Sequence, residues 1–267
     1  MIAENAQPPA TGQESQPHPG TTPDTLRTPA VDSPAGATAL QTAGQTAVGL
    51  AGGVECAAAA LKPRMRGWLH AGMVPLSLAG GIVLIALSRS AAAVAACSVF
   101  AVSALLLFGT SGVYHRGTWG PRGEAVLRTL DHANIFLIIA GTYTPLSVLL
   151  LPAGQQLELL SLVWAGAAAG IAFRVWWIRA PRWLYTLCYI ALGWAAVFYL
   201  PDFARTGGTP VVVLIIAGGL LYTAGALVYG LKRPDPSPRW FGFHEVFHTL
   251  TIAAFTAHYA AVFLVAT

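Results

Sequence analysis

Seven predominantly apolar stretches, near 68–88, 92–115, 130–151, 157–178, 183–200, 209–231 and 241–266, alternate with short polar connections that carry arginines. Each approaches the roughly 20 residues an α-helix needs to cross a bilayer. The pattern predicts an all-α fold: a seven-transmembrane helix bundle over residues 66–267. Pro75 and Pro145 fall inside spans, where proline is expected to kink a helix and free backbone carbonyls. Small residues, as in Ala79-Gly80-Gly81, Gly166-Ala167-Ala168-Ala169-Gly170 and Ala217-Gly218-Gly219, suit close helix contact in lipid. No Lys-Ser/Thr follows them and no strand precedes them, so they are packing elements and not phosphate loops.

Residues 1–65 break the pattern. They are rich in Ala, Thr, Pro, Gly and Gln and poor in large apolar side chains. Such a segment cannot bury enough surface to offset its ordering entropy, and is expected to be a disordered cytoplasmic tail. It has no basic stretch followed by a compact apolar core, so a cleaved signal peptide is not expected.

Composition agrees with the spans. Only 10% of the 267 residues are charged and 55% are hydrophobic, with a mean hydropathy of +0.60. An ordinary soluble domain has about a quarter of its residues charged. This is the composition of a multi-pass membrane protein, and the cell (plasma) membrane is the expected location.

Charge then sets the orientation. Lys62, Arg64, Arg66, Arg116, Arg122, Arg128, Arg174, Arg179, Arg182, Lys232, Arg233 and Arg239 flank the helix ends on one side, against Arg89 and Arg205 on the other. The positive-inside bias puts the N-terminus in the cytoplasm and the C-terminus outside. Trp68, Trp119, Trp176, Trp177, Trp183 and Trp240 fall near the cytoplasmic ends, as an interfacial belt would. The net charge of +4 is thereby explained, and the spread of basic residues over several loops carries no nucleic-acid signature.

The chemistry lies in a few polar residues within the spans. His244 and His248 sit one helical turn apart where the last span begins, on one helix face and able to share an ion. Given the orientation, Ser111 and His115 at the end of the second span and Asp131 at the start of the third come out at the same cytoplasmic depth. Three imidazoles with a nearby carboxylate make a site of the kind zinc favours, with a fourth position open for water. Metal binding can lower the pKa of that water to about 7. Asp131 could then ligate the ion or act as general base, and Ser111, one turn from His115, could orient water or a substrate carbonyl.

The same residues carry a resemblance. Ser111-Gly112-Val113-Tyr114-His115, the run from Leu130-Asp131-His132-Ala133-Asn134 to Gly141-Thr142-Tyr143-Thr144-Pro145, and His244-Glu245-Val246-Phe247-His248 together resemble the haemolysin III family. That family belongs with the progestin and adipoQ receptors and is distantly similar to alkaline ceramidases. The resemblance covers about residues 66–266. It implies Zn2+ held at His115, His244 and His248 with Asp131 and Ser111 close by, and a cytoplasmic N-terminus. Asn134 departs from the small residue frequent there; three positions after Asp131, it is expected to hydrogen-bond that carboxylate.

The leading expectation is a zinc-dependent hydrolase of lipid amides or esters, because substrates already in the bilayer most easily reach a site inside the bundle. Membrane lipids are thus the expected partners. The alternatives are a zinc-containing receptor or sensor without turnover, and a membrane-damaging cytolysin. His-Glu-x-x-His is also the zinc-protease motif, in which Glu245 would be the general base. Haem ligation is disfavoured, because axial ligands approach a porphyrin from opposite faces whereas His244 and His248 share one. Outside the site, His258 is expected in a helix-packing hydrogen bond, His132 facing another helix or the interface, and His70 at the interface. Tyr143 and Thr144 should satisfy backbone near Pro145, and Cys56, Cys97 and Cys188 are read as small buried hydrophobes.

Overall fold

The structure, a computed structural model, describes residues 63–177 and 180–267. Most of the expected tail (residues 1–62), with Cys56 and Lys62, and Arg179 lie outside the described residues. Among the described residues seven α-helices and one 3-10 segment follow one another: α1 (Trp68–Leu87), α2 (Ala91–Arg116), α3 (Pro121–Leu150), α4 (Ala153–Trp176), α5 (Arg182–Gly193), the 3-10 segment (Trp194–Tyr199), α6 (Leu200–Leu231) and α7 (Phe243–Ala266). Six helical stretches are long and apolar enough to cross a membrane, one of them the continuous 50-residue run Arg182–Leu231.

A straight helix of that length would extend about 75 Å, more than twice the ~30 Å hydrocarbon core. The run instead doubles back. Gly208 adopts φ 78°, ψ 172° inside α6, a conformation that side chains with a Cβ resist. Pro210, two residues on, has no N–H to continue the preceding helix. Trp194 Nε1 donates to Thr223 Oγ1 at 3.0 Å, and these partners lie almost symmetrically about Gly208. The fifth and sixth apolar stretches are therefore two antiparallel arms, with the turn at Gly208 and helix continuing through residues 200–207 on the ascending arm.

Helix α3 also exceeds its apolar stretch, beginning at Pro121 and not near residue 130. Proline is pre-set for the first helical position, and Glu124 sits in the first turn where the helix dipole favours an acid. Hydropathy marks the greasy part of a helix and not its start. α3 runs through the middle of the bundle, packing against α2, α4, α5, α6 and α7. Its Tyr143 donates to Gly193 O at 2.6 Å and accepts from Ala196 N at 2.7 Å, satisfying the backbone where α5 gives way to the 3-10 segment. Thr144 donates to Ala140 O one turn back at 2.8 Å. The expectation for this pair is corrected: Tyr143 serves another helix and not the backbone at Pro145, and Thr144 bonds Ala140 O and not Gly141 O, the carbonyl that Pro145 leaves without its N–H.

α1 and α7 close the ring. Tyr259 donates to Gly80 O at 2.9 Å, Arg89 N to Ala266 O at 3.2 Å, and at the opposite end Arg64 N to Arg239 O at 3.0 Å. The buried interior is led by Phe100, Phe108, Phe136 and Phe203, while Leu76, Ile82, Val102, Leu157, Phe198 and Leu220 point outward and are exposed. Large apolar side chains on the outside suit lipid and not water. This is a multi-pass membrane protein. Trp68, Trp176, Trp177, Trp183 and Trp240 are likewise exposed, near the helix ends that carry the arginines. Cys97 is buried and Cys188 partly so, both as free thiols.

Candidate metal centre

α7 presents His244 and His248 because its first turn is held from several sides. Glu245 Oε2 accepts from Gly242 N at 2.9 Å, and Asp235 Oδ1 accepts from Phe243 N at 2.8 Å, satisfying N–H groups that a helix start leaves without internal partners. Glu245 Oε1 accepts from Arg66 Nε at 2.7 Å, tying α7 to the approach to α1. Across from them, His115 ends α2 beside Gly67, whose φ of 79° and lack of a Cβ let the chain pass close to the imidazole.

His115, His244 and His248 each offer a ligand atom, and these atoms lie within 4.8 Å of one another. His115 Nε2 and His244 Nε2 are 3.1 Å apart, and Asp131 Oδ2 approaches the same His115 nitrogen at 3.7 Å. A tetrahedral ion with bonds of about 2.1 Å keeps its donors roughly 3.4 Å apart, so the spacing fits one small cation with little movement. A buried polar atom nearby lacks a hydrogen-bond partner among the described residues: His248 Nδ1. Unmet groups of this kind are what an ion and its water satisfy. The buried trio can hold a metal ion, and Ser111 and Asp131 line the same cavity.

Several expectations need correction. His70 is not interfacial: it is 2% exposed and its ring lies on that of His248, centroids 3.7 Å apart and planes 8° from parallel. Phe108 meets the same ring edge-on at 5.1 Å. Neither His70 nitrogen has a hydrogen-bond partner among the described residues. The signal that could have found it is depth, since His70, third in α1, starts its helix at the same end as His244. Asn134 does not engage Asp131; its amide donates to Leu106 O at 2.9 Å and Thr110 Oγ1 at 3.0 Å, clamping α3 to α2. The salt bridge in reach of Asp131 is to His115, while Arg116 stacks over Trp68 at 3.7 Å.

His132 turns to α6, where its Nε2 lies 3.0 Å from Tyr229 Oη, and its Nδ1 lies 2.7 Å from Arg128 O. His258 Nε2 is 3.1 Å from Ile215 O, the expected packing contact. Glu245, fully buried with both oxygens engaged by Arg66 and Gly242, is absent from the cavity wall.

The cavity measures 710 Å³ and runs from the histidines into the bundle. That is within the range of small-molecule sites. One end gathers His115, His244, His248, Asp131 and several arginines; the other is lined by Leu146, Val197, Leu200, Ile215 and Ile216. On α3 alone the wall extends from Asp131 to Leu146, about 22 Å at 1.5 Å per residue. A polar head with a long apolar tail has this shape.

The family model for haemolysin-III-related proteins matches residues 58–259. A hemolysin-3 of Bacillus cereus is 35% identical over 140 residues, covering 52% of this chain and 64% of that protein. A hemolysin-3 homolog of Bacillus subtilis (strain 168) is 32% identical over 148 residues, covering 55% of this chain and 68% of that protein. The aligned part thus spans less than two thirds of the Bacillus cereus protein.

Proposed function

The chain belongs to the haemolysin-III-related family, and from that premise we propose a seven-span membrane hydrolase that cleaves lipid amides or esters at a zinc ion near the cytoplasmic face. The N-terminus lies in the cytoplasm and the C-terminus outside, in the plasma membrane. The observation that carries the reading is the convergence of His115, His244 and His248 from two helices, with Asp131 at 3.7 Å, on the polar end of a cavity with an apolar interior.

A bound zinc ion supplies Lewis acidity, activating water and polarising a carbonyl. The protein's own groups do the rest. Asp131 Oδ2 accepts the proton that water gives up and returns it to the departing amine or alkoxide. The buried Ser111 hydroxyl, in the cavity wall with Asp131, donates to the carbonyl oxygen or orients the water. The wall from Ile138 and Ile139 to Leu146 and Ile215 holds the acyl chain and keeps bulk water out.

The engagement of Glu245 with Arg66 and Gly242 speaks against a protease in which Glu245 is the base. A receptor or sensor that keeps zinc without turnover is the second reading. In its favour, all three imidazoles are buried, as in a structural site. Membrane damage, the activity in the names of the relatives, is a third role for which lipid turnover would be one cause. Zinc content and fatty-acid release by the purified protein, wild type beside Asp131→Ala, test the hydrolase: zinc without Asp131-dependent release leaves the receptor reading.

A further inference from the structure

Positive charge dominates the cavity wall. Arg66, Arg128, Arg174 and Arg182 line it, and Asp131 is the sole carboxylate among the lining residues. Arg66 is satisfied by Glu245 from outside the wall. The other three are gathered at the end of α4, the start of α5 and the second turn of α3, the same end of the bundle as the histidines. Arg174 is 4% exposed, and Arg128 Nε is buried with no hydrogen-bond partner among the described residues. Arg174 lies 5.1 Å from the Tyr185 ring and Arg182 5.5 Å from that of Tyr229. Arg182 is exposed at the start of α5, but Arg128 is half-buried and Arg174 buried, and positive-inside topology does not account for guanidiniums turned into a cavity. Intramembrane cations are costly and mark ligand paths.

Tyr229 sets the scale of the arrangement. Its ring is 6.0 Å from that of His244 on one side and under Arg182 on the other. Arg182 is therefore one aromatic ring away from His244. A lipid whose carbonyl sits at the histidines and whose tail enters the apolar end has its head within reach of these guanidiniums.

Building on the lipid-hydrolase reading, we propose that Arg128, Arg174 and Arg182 form a headgroup subsite for phosphate, so that the substrate class is a phosphate-bearing lipid. Planar guanidinium forks match phosphate oxygens bidentately, and such charge-assisted bonds are about twice as strong as neutral ones. Carboxylate shares part of this chemistry. Three cations lining one end of one cavity suit the greater charge of a phosphate monoester.

The test uses the full chain in an uncharged detergent and three probes: short-chain phosphatidic acid, the matched diacylglycerol lacking phosphate, and inorganic phosphate. Wild type is expected to bind phosphatidic acid about tenfold or more tightly than diacylglycerol. Arg128→Gln with Arg182→Gln should abolish that preference and leave diacylglycerol affinity unchanged. If the glutamine pair fails to fold, as lost diacylglycerol binding would show, single Arg128→Lys and Arg182→Lys variants decide, each expected to weaken phosphatidic acid a few-fold.

Equal wild-type affinities for the two lipids overturn the subsite, as does full preference in the substituted proteins. Inorganic phosphate binding as tightly as phosphatidic acid makes this a free-anion site and overturns the lipid assignment. Preference retained in His244→Ala, alongside absent zinc or absent turnover in wild type, would uphold the headgroup subsite while the hydrolase reading fails. Zinc and turnover without phosphate preference is the reverse case, and overturns the subsite alone.

Discussion

The imidazole of His70 lies flat against that of His248, 3.7 Å between centroids, and Phe108 meets it edge-on at 5.1 Å. Phe108 in turn meets Phe255 at 5.1 Å, which meets Phe100 at 5.4 Å. A column of rings from α1, α2 and α7 thus backs one of the candidate metal ligands. His70 positions His248, and His70→Ala should lower zinc affinity about 10- to 100-fold, the usual effect of losing a group that orients a ligand. His70→Phe keeps a ring in the stack and should retain most of the zinc. Titration with a competing chelator distinguishes the pair, and equal losses would make the contact incidental.

Elemental analysis of the detergent-purified protein is expected to give about one zinc per chain. His244→Ala should lose it. Asp131→Ala should keep the metal and lose lipid hydrolysis by about two orders of magnitude or more. A wild type free of metal after gentle preparation would end the zinc reading.

Glu245→Gln separates support from catalysis. It removes the charge that answers Arg66 but can still accept a hydrogen bond from Gly242 N, so stability should fall by about 1–3 kcal/mol while zinc stays bound and turnover continues. Thermal denaturation in detergent reads the first and product release the second. Abolished turnover with intact zinc would revive the protease assignment.

Two glycines offer a test of the turn. Gly208→Ala places a Cβ on a residue with φ 78° and should cost about 1–2 kcal/mol. Gly72 is helical, and a Cβ added there would meet nothing within 4 Å, so Gly72→Ala should be neutral or stabilising by up to about 1 kcal/mol. Equal melting temperatures would show that the hairpin does not depend on the left-handed residue.

Topology is checked with reporters at the C-terminus. An alkaline phosphatase fusion, which needs an oxidising compartment, should be active, and a fusion after Leu231 inactive. The opposite pattern would invert the orientation and place the histidines at the outer face.

The all-helical bundle and the clustered histidines are legible in the sequence because each leaves a local mark: a run of about 20 apolar residues, or a histidine repeated one turn later. Charge counting alone puts His115, Asp131 and His244 at one depth. What escapes is lateral. A lone histidine such as His70 carries no spacing signal, and which face of α1 meets α7 depends on packing that hydropathy does not encode. Asn134 misleads for the same reason: its position after Asp131 on one helix face suggests a partner along the helix, while its amide reaches α2. Arg66 reads as a topology charge, though its partner Glu245 lies 179 residues away. The turn at Gly208 shows in the sequence only as a gap between two apolar stretches.

His115 and His244 touch across 129 residues of sequence, and this separation fixes an order of events during biogenesis. At about 5–20 residues per second, α2 and α3 leave the ribosome several seconds or more before the last helix exists. Over that interval His115 and Asp131 have no metal-binding partners from α7, and the polar end of the cavity is open on that side. On the zinc reading, metal acquisition is a terminal step of membrane insertion. A chain cut short after Leu231 would enter the bilayer with its arginines and its carboxylate but without two of its three imidazoles, an inserted apoprotein that no supply of zinc could repair.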